Sequence, residues 1–246
     1  MTTILLHGFT GSPASFDALD LGPDARALPL LGHGAARTST TFAAEVDRIA
    51  ALLPERCHLA GYSMGARVAL GILVAHPERV ARATLIGVHP GLARDADRRA
   101  RATADRRWIR LLEQSSIDAF VAAWEEQPLW ASQSRCAPDA LAAQRAIRLS
   151  HDPRGIATAL RVLGLAAMPD YTPRLAEIAT PVALVVGDED DKFRAIAAAM
   201  TEHLERGDMI TIPDCGHNPL IEAPHRIAAL LRERTQHDHL DTATWI

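Results

Sequence analysis

Cysteine is scarce in this chain of 246 residues, and lysine is nearly absent. The three cysteines, Cys57, Cys136 and Cys215, are widely scattered and odd in number. Such a set indicates neither a disulfide framework nor a zinc cluster, and no metal site is expected. Of 26 basic residues only Lys192 is lysine, and alanine is very abundant. That bias looks like a GC-rich genome, so an arginine at any one site carries less weight than usual. Long apolar runs are missing too: residues 182–186 form one of the longest, far short of the ~20 that a membrane span requires. The N-terminal MTTILLHGFTGS has no basic leader before an apolar block and does not read as a secretory signal. A formal charge of −4 gives no reason to expect nucleic acid as a partner. With 48% hydrophobic and 23% charged residues, the composition excludes a disordered or collagen-like chain. At roughly 150 residues per domain, the length suggests one large domain or a core with a modest insertion. The expectation is a soluble cytoplasmic protein, monomer or homodimer.

The first part of the chain alternates short apolar strands with helices. Strands are expected at 3–6, 27–31, 58–60 and 83–88, and helices at 42–53 and 66–75. This alternation argues for a mostly parallel sheet with helices on both faces. The pattern changes at Pro90. Between residues 94 and 165 there is no strand candidate, only amphipathic helical stretches separated by Pro128, Pro138 and Pro153. Strand-like sequence returns at 181–187 and 209–212, followed by a last helix at 224–234 and a loosely held tail from 236. The expected division is a core of residues 1–90 and 171–246, with residues 91–170 forming a helical lid over one edge of the sheet.

The most informative stretch is HLAGYSMGARVAL, which holds G-x-S-x-G as Gly61, Tyr62, Ser63, Met64 and Gly65. A serine on a strained strand-to-helix turn needs small neighbours, because its backbone is forced against adjacent chain. The turn lifts the hydroxyl clear of the sheet. It also leaves the Met64 amide at a helix N-terminus, where it can stabilise an oxyanion. The remaining pieces follow in the order serine, acid, histidine. After PVALVVG come Asp188, Glu189, Asp190 and Asp191, of which Asp190 is the expected triad acid; Asp188 and Asp191 are read as solvated or capping the next helix. After MITI comes Pro-Asp-Cys-Gly and then His217, which alone among the eleven histidines lies between the last strand and the last helix. His58, His76 and His203 suit surface or core roles, and His237 and His239 lie in a polar tail that is a poor place for a metal. His7-Gly8-Phe9-Thr10-Gly11 follows the first strand. It makes the Phe9 amide the expected second oxyanion donor, with His7 bracing the loop.

These pieces together resemble the α/β-hydrolase fold over essentially the whole chain, with the usual first two strands expected to be missing. Finer motifs (LHGFTGS, GHG, GYSMGAR, WEEQPLWASQ, GDEDDKF and GHNPLIEAP) resemble the 2-succinyl-6-hydroxy-2,4-cyclohexadiene-1-carboxylate synthase family of menaquinone biosynthesis. The resemblance implies a lyase that needs no metal or organic cofactor. It would abstract a proton beside a ketone of a small substrate with three carboxylates and expel pyruvate. Carried over by motif, it supports Asp190 as the acid and assigns substrate binding to Arg67, Trp124, Arg101 and Arg148, with Tyr62 shaping the pocket. Departures include Asp188 for a glutamate, Leu31 for a proline, Asn218-Pro219 after the histidine, and no serine in Gly87-Val88-His89-Pro90-Gly91. The bare sequence agrees on charge: residues 94–110 hold seven arginines against three aspartates, and planar guanidinium groups suit carboxylates. Most of the seven are read as a solvated helix face. Two other readings stay open, a carboxylesterase or thioesterase working through an acyl-serine and a non-catalytic ligand-binding descendant.

Overall fold

The structure, a computed structural model, describes residues 1–34 and 39–236. The expectations for the tail, including His237 and His239, lie outside the described residues. Six strands form one sheet in the order β2-β1-β3-β4-β5-β6, and every pairing among them is parallel. They are β1 (Thr3–Leu6), β2 (Ala25–Leu28), β3 (Cys57–Tyr62), β4 (Val80–Ile86), β5 (Val182–Gly187) and β6 (Gly207–Ile212).

Local chemistry sets where the elements stop. β2 lies two residues earlier than expected at its start and ends at Leu28, because Pro29 has no N–H to continue the ladder. Helix α1 (Phe42–Ala50) starts where the Thr41 hydroxyl accepts the Ala44 amide. It stops short of the expected Leu53, since Leu53 precedes Pro54 and that position disfavours helical backbone. β4 ends at Ile86, before Gly87 turns the chain with φ 60°.

Side chains alternate across the sheet. Ile4, Leu6 and Leu59 pack with α1 and α2 (Met64–Ala75) on one face. On the same face lies α7 (Asp191–Thr201), through Ala197 and Met200. Leu5, Ala60 and Tyr62 point the other way, against Phe16 and Leu19 of a short 3-10 segment and against Ile227 and Leu231.

Between β4 and β5 the chain forms α3 (Asp95–Gln114), α4 (Ile117–Glu125), α5 (Pro138–Leu149) and α6 (Pro153–Leu163). They have a small core of their own, with Leu112, Phe120, Val121, Ile156 and Leu160. The short α8 (Pro219–Glu222) and α9 (Pro224–Gln236) close the chain. Of the seven arginines in 94–110, five are exposed, as a solvated helix face requires. Among the described residues no helix is long and apolar enough to cross a membrane.

β1 is flanked by β2 on one side and β3 on the other, so the chain reverses its direction of travel across the sheet there. Such a switch point leaves a crevice at the strands' carboxyl ends. The glycines of the serine turn close it tightly: a Cβ on Gly65 would stand 2.1 Å from the Leu6 carbonyl oxygen, and one on Gly61 2.6 Å from the Ala66 nitrogen. Gly65→Ala is therefore expected to cost about 3 kcal/mol, the upper range for overpacking, measured as a lower urea midpoint than wild type.

Candidate active site

Four strand ends supply the site. Ser63 follows β3 with φ 50° and ψ −104°, a strained backbone for a residue with a side chain. Its amide is tied to the Ile86 carbonyl of β4 at 2.8 Å. The serine hydroxyl lies 3.2 Å from His217 Nε2, and His217 Nδ1 lies 2.6 Å from Asp190 Oδ2. An ionised carboxylate only accepts, so the ring carries its proton on Nδ1 and offers bare Nε2 to the serine. The imidazole and carboxylate are almost enclosed, with side chains 2% and 8% exposed. Phe193 covers the ring at 4.4 Å between centroids, with Tyr62 and Trp130 farther out at 5.7 and 6.0 Å. Gly87 backs it, since a Cβ there would meet His217 Cε1 at 2.9 Å.

The acids divide their work differently from the sequence expectation. Asp190, not Asp188 or Asp191, is the N-cap of α7, with Oδ1 toward the Phe193 amide while Oδ2 holds the histidine. Asp188 accepts the Cys215 amide at 3.0 Å. That bond, with the neighbouring amides, holds its carboxyl below the usual range. Asp191 is solvated and pairs with Arg194. One aspartate thus fixes both the helix start and the imidazole.

Met64 is the first residue of α2, so its N–H belongs to the helix end that lacks intrahelical partners. The loop after β1 brings Gly8 and Phe9 up beside the serine turn. A Cβ on the adjacent Gly8 would stand 3.6 Å from Ser63 Cβ and press on the Tyr62 ring. His7 braces this loop as expected, donating from Nδ1 to the Gly8 carbonyl and accepting the Leu30 amide at Nε2.

A cavity of about 140 Å³ opens next to Gly8, Tyr62 and Asn218, chain neighbours of the site, although neither Ser63 nor His217 lines it. Tyr62, Trp130, Gln144, Arg148 and Asn218 give it a polar side, and Ile147, Leu220 and Ile221 an apolar one. Arg148 is 4% exposed, pairs with Glu125 at 3.0 Å and lies over the Trp130 ring. Burial lowers its pKa, which the Glu125 carboxylate partly offsets. The buried polar atoms without a hydrogen-bond partner among the described residues include Tyr62 Oη, Trp124 Nε1, Trp130 Nε1 and Asn218 Oδ1. Buried polar groups without a hydrogen bond are costly, and Tyr62, Trp130 and Asn218 are among the residues that line this cavity.

A second cationic group lies away from that cavity. Arg67 is buried and donates to the Leu163 carbonyl at 2.7 Å. Burial, with Arg101 nearby, depresses its pKa to about 9. Arg101 pairs with the buried Asp105 at 2.9 Å. Burial drops the His89 pKa to about 4, helped by Lys192, Arg67 and Arg101. Arg67 thus binds the last carbonyl of α6 directly, which helical spacing from Ser63 could not reveal. Trp124 does not line the cavity. Its ring stacks on Phe120 and meets Phe9, Trp108 and Trp130. Sequence reasoning passed over Trp130, Gln144, Asn218 and Phe193. Trp130 stood in the same WEEQPLWASQ segment as Trp124, and Asn218 was visible only as a departure.

An alpha/beta hydrolase family model matches residues 3–230. The chain belongs to the alpha/beta hydrolase family. Within it, the chain is 34% identical to a Bacillus subtilis (strain 168) protein named "Putative 2-succinyl-6-hydroxy-2,4-cyclohexadiene-1-carboxylate synthase", across 94% of this chain and 88% of that protein. It is 30% identical to the Enterobacter sp. (strain 638) 2-succinyl-6-hydroxy-2,4-cyclohexadiene-1-carboxylate synthase, across 94% and 90%. These identities place it in the synthase branch of the hydrolase family. Its structure resembles that of MenH from S. aureus with a TM-score of 0.91 and 27% identity, covering 96% of this chain and 95% of the other. A thermophilic esterase from Thermogutta terrifontis, solved with malate bound, is similar at 0.81 and 25% identity, covering 98% and 91%.

The buried imidazoles of this hydrolase-family chain have a consequence for acid stability. Burial lowers the pKa of His7 to about 4 and that of His58, which sits between Thr3 and Thr84, to about 3. Below the ordinary value near 6.5 the unfolded chain takes up these protons and the folded chain does not. Stability is therefore complete above about pH 6.5 and falls as pH drops toward 4, by about 1.4 kcal/mol per pH unit for each such group. Urea unfolding is expected to show a lower midpoint at pH 5 than at pH 7, and a smaller difference in His58→Asn.

Proposed function

We propose that the protein is a carbon–oxygen lyase of menaquinone biosynthesis. It converts 2-succinyl-5-enolpyruvyl-6-hydroxy-3-cyclohexene-1-carboxylate into 2-succinyl-6-hydroxy-2,4-cyclohexadiene-1-carboxylate and pyruvate. The observation that carries this reading is the Ser63–His217–Asp190 relay, set between buried arginines in a branch whose named relatives are such synthases.

Asp190 holds the tautomer and His217 Nε2 draws the serine proton. Ser63 Oγ takes the ring proton beside the succinyl ketone, at C2. The C2–H electron pair moves to the ketone oxygen, whose charge is met by the Phe9 and Met64 amides. Collapse forms the C2–C3 double bond, shifts the ring double bond to C4–C5 and breaks the C5–O bond. Enolpyruvate leaves, and the proton held by His217 returns to it, giving pyruvate. Each oxyanion donor supplies ~3 kcal/mol, by analogy with acyl transfer.

Three carboxylates need cations. Arg148, with the Tyr62 hydroxyl and Trp130 indole N–H beside it, suits one end of the substrate in the cavity, and Arg67 and Arg101 suit another. In this reading residues 91–170 act as a lid that supplies Arg101, Arg148 and Trp124, and no metal or organic cofactor takes part.

The same relay and strained turn also fit an acyl-serine pathway, and the likeness to the Thermogutta esterase favours that alternative. The deciding experiment supplies purified protein with the enolpyruvyl substrate and follows pyruvate. Wild type is expected to release it, Ser63→Ala to lose ~10⁴-fold in turnover, and Arg148→Ala to raise KM more than it lowers kcat. Absence of pyruvate, with a burst from activated esters, would transfer the assignment to the esterase.

A further inference from the structure

The loop that carries Phe9 is held by three histidines from three separate parts of the chain. His7, His33 and His151 form one stack, with His33 in the middle at 4.8 Å from His7 and 5.2 Å from His151. All three are buried. Each binds a different one of three consecutive peptide units. His7 Nδ1–H donates to the Gly8 carbonyl, the far end of the unit whose N–H is that of Phe9. His33 Nε2 accepts the Thr10 amide at 3.1 Å, on the Phe9–Thr10 unit. His151 Nε2–H donates to the Thr10 carbonyl at 3.1 Å, on the Thr10–Gly11 unit.

The tautomers agree. A carbonyl only accepts, so His33, which donates from Nδ1 to the Leu31 carbonyl at 2.9 Å, keeps Nε2 bare for the Thr10 amide. His151 needs its proton on Nε2. The clamped residue is strained: Thr10 has φ 64°, and a β-branched residue is an outlier there. Such a conformation persists only where its surroundings over-determine it.

The anchors of the clamp differ. The His33 loop is fixed to the core, where Glu45 accepts the Leu31 amide at 2.7 Å. His151 sits between α5 and α6, within the helical segment that follows β4. The two parts meet glycine to glycine beside the stack: a Cβ on Gly32 would stand 2.1 Å from the Gly155 carbonyl oxygen, and one on Gly155 2.6 Å from that of Gly32.

The geometry points to a role for this stack as a positioning device, in which His151 reaches down from the helical cover to set the Thr10 peptide and so aim the Phe9 amide at the reacting oxygen. Seating the cover then completes the oxyanion site. The inference rests on Phe9 being an oxyanion donor under Proposed function, but not on which substrate supplies the oxyanion.

The test reads Ser63 with a fluorophosphonate, whose phosphoryl oxygen occupies the oxyanion site as serine displaces fluoride. His151→Phe keeps a ring against His33 but has no N–H. His151→Gln loses the ring but keeps a donor for the Thr10 carbonyl. The clamp predicts that Phe slows phosphonylation on the order of 10- to 100-fold, with kcat for pyruvate falling alongside and KM little changed, while Gln recovers most of the rate. A packing role predicts the opposite order, and a Phe variant as fast as wild type overturns the proposal. Should the Phe variant fail to fold, His151→Ala against His151→Gln gives the same comparison. Wild type that phosphonylates normally but releases no pyruvate would remove the lyase reading and leave this inference standing.

Discussion

Gly65 lies so close to the carbonyls of Leu6 and His7 that no side chain fits between them, and the rest of the site depends on that approach. It locks the start of α2 against the end of β1, where Ser63 takes up its strained turn beside the loop at Gly8. That one contact sets the backbone from which the serine hydroxyl is presented and narrows the crevice between β1 and β3. Strain at Ser63 and again at Thr10 is offset elsewhere: the sheet is parallel throughout and its strands β1, β3 and β5 are wholly buried.

Electrostatics then separate the functions around the serine. The imidazole is held by a single carboxylate and walled by Phe193, Tyr62 and Trp130, so the relay is sheltered from competing water. The cations fall in two groups, Arg148 in the cavity and Arg67 with Arg101 apart from it. Glu125 and Asp105 offset part of that charge without closing it off. Under the proposed function, a substrate with several carboxylates is the kind of molecule that separated guanidinium groups orient.

Much of this was legible in the sequence, for physical reasons that differ by residue. Small neighbours around Ser63 are a steric requirement of the turn, so they mark it directly. Strand ends followed by acid and then histidine identified Asp190 and His217, although His217 lies 154 residues from Ser63. Boundaries failed where proline chemistry acted locally, at Pro29 and Pro54. The dual duty of Asp190 was hidden because a capping acid and a triad acid have the same local signature. Arg67 illustrates a deeper limit: helical spacing gave its direction from Ser63 but not the Leu163 carbonyl that meets it from about a hundred residues away. The histidine stack was out of reach for the same reason, since His7, His33 and His151 converge only when three unrelated loops fold together.

In the proposed reaction Ser63, sharpened by His217 and Asp190, removes a proton from carbon and never becomes acylated. A single-turnover comparison of enolpyruvyl substrate carrying hydrogen or deuterium at C2, with the protein mass followed throughout, tests it most directly. Slower pyruvate formation from the deuterated compound and an enzyme mass that never changes are expected. Equal rates together with a transient mass increase on Ser63 would contradict it.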